Sequence, residues 1–432
     1  ATRADLHLIF IERVVQVQEG CLSMKVPLVK ISGATSWREL GRQHGAAIAE
    51  RIRATSTFYM DFFRQKWHFT ESEIEEQCQG FATSIRNFNP AYTEELEGIA
   101  EGANMPAWQV YTLNCRTELL NYKKSLLEGA DASSAPSECT ALCNARAGLL
   151  AQNWDWDETL EDLVVLMLMD KPDGSQIMML TEPGIIGKIG MNSAGVGVTL
   201  NLLTEKAPAP PPGTVPPPNY GVPIHIILRM VLDSHSVGDA LAKLRALPQR
   251  MRDTASCIIM ADRTSTCHML EFSRETMDEI KCLPATDKCP SRPFSHSIPF
   301  HTNHYLGCGL QNQVTGSESS YARFHTLDGL LQQLSGPPLL PDIHKMLADR
   351  SNAEYPIQRP YKLDTYELMS GTISTIIMDL HRGVFHLTRG NPYENPLEAV
   401  RAPWAAKWQC GDFHACDGGW VAREPVNGPT CM

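Results

Sequence analysis

The spacing of apolar positions changes character close to residue 139. Upstream it is mostly helical. A short apolar run at 26–32 reads as a strand, and Ser36 then opens a helix as its N-cap, with Glu39 three residues later. A long helical pattern covers residues 46–63. Thr70 and Glu73 repeat the capping-box spacing and open a second helix toward Phe88. Residues 92–103 read as a third, with Leu96, Ile99 and Ala100 on one face, and residues 108–120 as a fourth. Downstream the apolar residues come in short runs broken by Gly, Pro and Asp-Gly, at 163–169, 176–181, 185–191, 195–202, 255–262, 267–273, 370–380 and 384–388. These read as strands. Helices are predicted at 223–232, with a proline in the first turn, and at 237–247, 327–334 and 342–348. Strands joined by hairpins rather than by β-α-β units predict antiparallel sheets between helical layers, an α+β chain.

The change of rhythm falls at a loop. Residues 131–135 lack large apolar side chains and predict an exposed connection. Apolar runs at 140–143 and 148–152 flank Asn144-Ala145-Arg146-Ala147, a predicted hairpin. Cys139 therefore stands where a loop becomes the first strand of a sheet. A cysteine at a strand start is most often a small buried hydrophobe. It has a second use if the peptide bond before it is cut, because its α-amine then lies beside its own thiol. An α-amine titrates at about 7.7–8.0 and is a base near neutrality.

Composition narrows the classes. An apolar fraction of 43% and a charged fraction of 20% belong to a soluble globular chain. A net charge of -11 argues against a nucleic-acid partner. No apolar run approaches the ~20 residues of a membrane helix, so no membrane partner is expected. The 13 cysteines show no Cys-x-x-Cys pairing, which predicts reduced thiols. Cys410, His414 and Cys416 fit no strong zinc pattern, and no metal is expected. Glu12 and Arg13 interrupt the apolar run at 6–17, so no secretory signal is read there, and Pro429-Thr430-Cys431-Met432 is not a Ser-Lys-Leu address. The expected location is cytoplasmic or peroxisomal. Residues 206–221 hold seven prolines and read as a stiff, extended excursion, either a linker or a loop near the mouth of a site.

Four blocks carry a family resemblance: Ser137-Glu138-Cys139-Thr140; Gln152-Asn153-Trp154-Asp155; residues 184–196; and His301-Thr302-Asn303-His304. In order and spacing they resemble the fungal acyl-coenzyme A:isopenicillin N acyltransferase family of N-terminal-nucleophile enzymes, over residues 26–401. The resemblance implies a four-layer αββα sandwich. It also implies a division into an extension (1–23), a mainly helical α-chain region (24–138), a nucleophile β-chain region (139–401) and a tail (402–432). The precursor would cut itself between Glu138 and Cys139, making the α and β chains each other's partners. Glu138 departs from the glycine usual at that position, and glycine better tolerates a strained turn.

The resemblance assigns further roles. Cys139 would be the nucleophile both in self-cleavage and in acyl transfer. Asp155 would hold or orient the new amine. Asn303 would donate its amide NH₂ to the oxyanion, and Asn201 would offer a second polar group. Thr140 and Arg359 are placed on the substrate side, Arg359 standing in for a family arginine whose position here is Met369. His301 and His304 are read as structural. The implied reaction moves an acyl group from acyl-coenzyme A, a co-substrate, to a small-molecule amine, in secondary metabolism and without a resident cofactor. The same residues would serve an amidohydrolase, and an uncut chain that kept the fold would be a binding protein.

Overall fold

The computed structural model describes residues 25–126, 139–204, 220–247, 255–273, 276–280, 297–307, 316–364, 367–408, 413–416 and 419–422. A first strand, β1 (Leu28–Ile31), leads into six helices: α1 (Trp37–Ala47), α2 (Ala49–Trp67), α3 (Glu71–Phe88), α4 (Pro90–Ala103), α5 (Ala107–Asn114) and α6 (Arg116–Leu126). The expected caps are present. The Glu39 backbone N–H donates to Ser36 Oγ at 3.2 Å. Thr70 and Glu73 close both halves of their capping box, at 3.2 and 2.6 Å. Helices α1 and α4 cross at a glycine seam. A Cβ on Gly41 would sit 1.9 Å from the Glu95 carbonyl oxygen, and one on Gly98 would sit 2.2 Å from that of Arg38. Only glycine allows the two backbones to lie this close.

Beyond residue 139 the chain forms β2 (Thr140–Asn144), β3 (Leu149–Asp157), β4 (Val165–Asp170), β5 (Gln176–Thr181), β6 (Ile189–Asn192) and β7 (Val196–Leu202), then α7 (Ile224–Leu232), α8 (Val237–Ala246), β8 (Ser256–Asp262), β9 (Cys267–Phe272), β10 (Met277–Ile280) and β11 (Phe300–His301). The remainder is α9 (Glu318–Gln332), α10 (Leu340–Leu347), β12 (Lys362–Leu363), β13 (Met369–Asp379), β14 (Val384–Leu387), β15 (Glu398–Arg401) and a separate hairpin of β16 (Phe413–Cys416) with β17 (Gly419–Ala422).

Two large sheets result. One has the order β1-β4-β5-β6-β7-β8-β9-β10, antiparallel except for the parallel β1–β4 pair. The other runs β11-β2-β3-β13-β14-β15, with β12 also on β13. Strands β2 and β3 face β7 and β8 across the gap between the sheets. Helices α7 and α8 cover the outer face of the first sheet, and α10 covers β3 and β13 of the second. The layers are therefore αββα. Strands β2 and β3 are buried along their whole length, as a strand between two covered faces must be.

Three expectations need correction. Residues 108–120 are two helices, split at Cys115. There the Asn114 side chain donates to the Gly184 carbonyl (2.8 Å) and accepts from the Ile186 N–H (3.1 Å), so bonds to a distant loop end the helix. Of 185–191 only the part from Ile189 is strand. Gly187 is pressed against α7, where an added Cβ would lie 2.1 Å from the His225 carbonyl oxygen. Helix α9 starts at Glu318 rather than Leu327, with Ser317 as N-cap. Its first turns are polar yet buried, which removes the apolar signal there. Most of the Pro-rich stretch, Cys410 and Glu138 lie outside the described residues. No helix among the described residues is long and apolar enough to cross a membrane.

Candidate active site

The sheet registers assemble the site around Cys139. Strand β11 pairs with β2 so that Phe300 faces Leu142 and His301 faces Ala141. Two residues further on, that register brings Asn303 level with Cys139. The Cys139 backbone N–H donates to Asn303 Oδ1 at 2.8 Å. Asn303 Oδ1 also accepts from Arg323 at 2.9 Å, and Asn303 Nδ2 donates to the Leu202 carbonyl at 2.9 Å. Two donors on one side and a carbonyl on the other fix which way the amide points. Its oxygen lies on the Cys139 nitrogen, and one N–H of its NH₂ is taken by β7.

Arg323, on α9, is fully buried and donates to the Cys139 carbonyl and to Thr140 Oγ1, both at 2.8 Å. Thr140 is thus a buried anchor for Arg323, and it does not line the cavity at the nucleophile. Sequence reading passed over Arg323, because an arginine in a polar helical turn looks like a surface residue.

Cys139 opens onto a cavity of about 20 Å³, room for roughly one water, walled also by Gln152, Trp154, Asp155, Arg116 and Lys188. Burial, and then the Asp155 carboxylate, push the Cys139 thiol up to about 11, against the opposing pull of the Asp155 N–H, Lys188 and Gln152. At neutral pH Cys139 is therefore a thiol that needs a base. Asp155 is held by the Thr372 hydroxyl, which donates to Oδ1 at 2.6 Å.

The remaining candidates lie apart from this cavity. Asn201 is buried and donates to the His301 carbonyl at 3.2 Å, and its Oδ1 has no hydrogen-bond partner among the described residues. The Arg359 backbone N–H donates to Thr372 Oγ1 at 3.0 Å and its carbonyl accepts from the Thr372 N–H at 2.9 Å, but Arg359 does not line the cavity. The cations at the wall are Arg116 and Lys188 instead. His301 bonds Glu271 at 2.8 Å and His304 bonds Ser320 at 2.8 Å, so both are tied into the scaffold. Among the described residues no cluster of three His, Cys, Asp or Glu side chains has the form of a metal site.

Facing sheets between helical layers, with a cysteine at the head of a strand, are the αββα arrangement of the N-terminal-nucleophile hydrolase fold. Within it, the chain belongs to the acyl-coenzyme A:6-aminopenicillanic acid acyl-transferase family, whose sequence profile matches residues 143–394. The matched span begins four residues after Cys139. A relative from Emericella nidulans, the acyl-coenzyme A:6-aminopenicillanic-acid-acyltransferase 40 kDa form, is 29% identical over 330 residues, covering 75% of this chain and 82% of that protein. Two solved structures share a looser likeness. A mutant conjugated bile acid hydrolase from Clostridium perfringens aligns with a TM-score of 0.35 at 15% identity, over 61% of this chain and 92% of its own. Penicillin V acylase from Agrobacterium tumefaciens aligns at 0.32 and 13%, over 61% and 86%. The chain is an enzyme of the acyltransferase or hydrolase type.

Proposed function

We propose that the protein cuts itself before Cys139 and then transfers an acyl group from acyl-coenzyme A to a small amine, through a thioester on Cys139. The observation that carries this reading is the bond from the Cys139 nitrogen to Asn303 Oδ1. It holds in place, beside a buried thiol, the atom that would become the α-amine. In the precursor, the sulfur would attack the Glu138 carbonyl carbon and expel the Cys139 nitrogen. Water would then hydrolyse the resulting thioester, leaving a Glu138 carboxylate and a new amine. That amine would keep one N–H on Asn303 and turn its lone pair toward the thiol, whose proton it takes. The thiolate would next displace coenzyme A thiol from the donor. The acceptor amine would attack the acyl-enzyme, returning the sulfur and releasing an amide. The family and the Emericella nidulans relative, both named for acyl transfer to 6-aminopenicillanic acid, favour an amine over water as acceptor.

The test is the intact mass of purified protein incubated with a panel of acyl-coenzyme A thioesters. The C-terminal piece should gain the mass of one acyl group, and added amine should remove it as amide. Free acid as the sole product with every amine would favour the amidohydrolase. A chain that is never cut and never acylated would sink both readings.

Asn303→Ala should lower turnover by ~10²-fold or more, the usual worth of a positioned base. The acylation rate of folded, processed variant gives the measure. A rate within a few-fold of wild type would show that the amine needs no such hold.

A further inference from the structure

Ionisation of Cys139 before attack puts negative charge on sulfur inside a cavity with room for about one water. One N–H of Asn303 and one of Asn201 go to the Leu202 and His301 carbonyls. Lys188 shares the cavity wall with the sulfur. It is buried, its ammonium lies 4.4 Å from the centre of the Trp154 ring, and its Nζ is 2.9 Å from Glu182 Oε2. The close seat of Gly187 on α7 carries it there.

Polar groups approach Lys188 and its partner Glu182 from several elements. From α6, Arg116 meets Glu182 at 3.0 Å. From α2, the Tyr59 hydroxyl donates to Glu182 at 2.5 Å and accepts from the Trp156 indole at 3.0 Å. From α7, His225 bonds the Gly187 carbonyl at 3.0 Å. Asp155 and Cys139 complete the set. Burial works to raise the Glu182 pKa, but Arg116 and Lys188 outweigh it and hold the carboxyl well below the usual range. Burial, and then the two cations, keep His225 neutral. Glu182 thus pairs with both cations, Arg116 and Lys188.

We propose that Lys188 is the cation that stabilises the Cys139 thiolate, and that Glu182, Arg116 and Tyr59 fix its position. The N-terminal helices would then belong to the working site, since they supply two of those three anchors. The inference rests on Cys139 being the nucleophile. It concerns the charge partner of the sulfur, not the base that takes its proton. Burial brings the Lys188 ammonium down to about 8, so it is mainly charged at neutral pH.

The thiolate fraction of Cys139 can be followed at about pH 7, where Lys188 is charged, by the rate of alkylation with iodoacetamide, with the rate of Cys139→Ala subtracted to isolate this sulfur. A nearby cation favours the charged form of a thiol. Its loss in Lys188→Met should therefore slow alkylation by about tenfold or more. Lys188→Gln is the second neutral variant and can still donate to Glu182. Lys188→Arg keeps the charge and should react close to the wild-type rate. A folded Met or Gln variant with an unchanged rate would overturn the proposal, as would an arginine variant slowed as far as the neutral ones. The reading of Cys139 as nucleophile fails separately, if Cys139→Ala still transfers acyl groups in the mass assay.

Discussion

Cys139→Ala is expected to remove acyl transfer by a factor of ~10⁴ or more and to leave the chain uncut. Loss of a covalent nucleophile costs this much because no other group can form the intermediate, and only binding remains. Cys139 is buried at the head of β2, and alanine fits the same space without overpacking. The variant should therefore fold. On a denaturing gel the wild type should separate into a smaller N-terminal piece and a larger one beginning Cys-Thr-Ala-Leu, while the variant runs as one band. Turnover and the gel report on different steps. Cleavage at the same bond in Cys139→Ala would assign the cut to an outside protease. Retained turnover would remove Cys139 from the chemistry.

Arg229→Met is expected to be the most damaging single change to stability, at about 3–5 kcal/mol. Arg229, on α7, and Glu95, on α4, are both fully buried and meet through two parallel hydrogen bonds of 2.8 Å each. The Arg229 Nε–H also lies 3.1 Å from Asp233, which takes Lys171 at 2.5 Å and the Tyr92 hydroxyl at 2.8 Å. Methionine preserves much of the packing against Trp37 and Tyr92 but leaves the Glu95 charge without its bidentate partner in the interior. That orphaned charge, more than the lost attraction, sets the cost.

The pH dependence follows from its sign. Burial already raises the Glu95 pKa in the folded protein, and Arg229 opposes the rise. Without Arg229 the folded pKa climbs further above the unfolded one. A group shifted in that direction favours folding when protonated, and the benefit is lost as pH rises through its folded pKa. The penalty of Arg229→Met should therefore shrink on acidification. Adding Glu95→Gln should recover part of the loss, a coupling that a double-mutant cycle in urea unfolding would measure. A folded Arg229→Met protein within ~1 kcal/mol of wild type at neutral pH would show that the pair is not a principal tie between the helical block and the sheets.

Local order determined much of this protein, and that part could be read in the sequence. The helix caps at Ser36 and Thr70, the hairpin around 144–147 and the strand runs after residue 139 depend on neighbours within a few positions. So does the placing of Cys139 at a loop-to-strand junction. Side-chain roles followed poorly. The Asn303 amide is turned by Arg323 and by the Leu202 carbonyl, 20 and 101 positions away. Nothing local marks Lys188 and Arg116 as residues of the cavity wall, because their ties to Glu182 depend on packing between distant elements. Pairing of β11 with β2, contact of Tyr59 on α2 and Arg116 on α6 with Trp156 on β3, and the seat of Gly187 on α7 bring these groups to one wall. There, exclusion of water makes each charge and each amide orientation count for far more than it would at a surface.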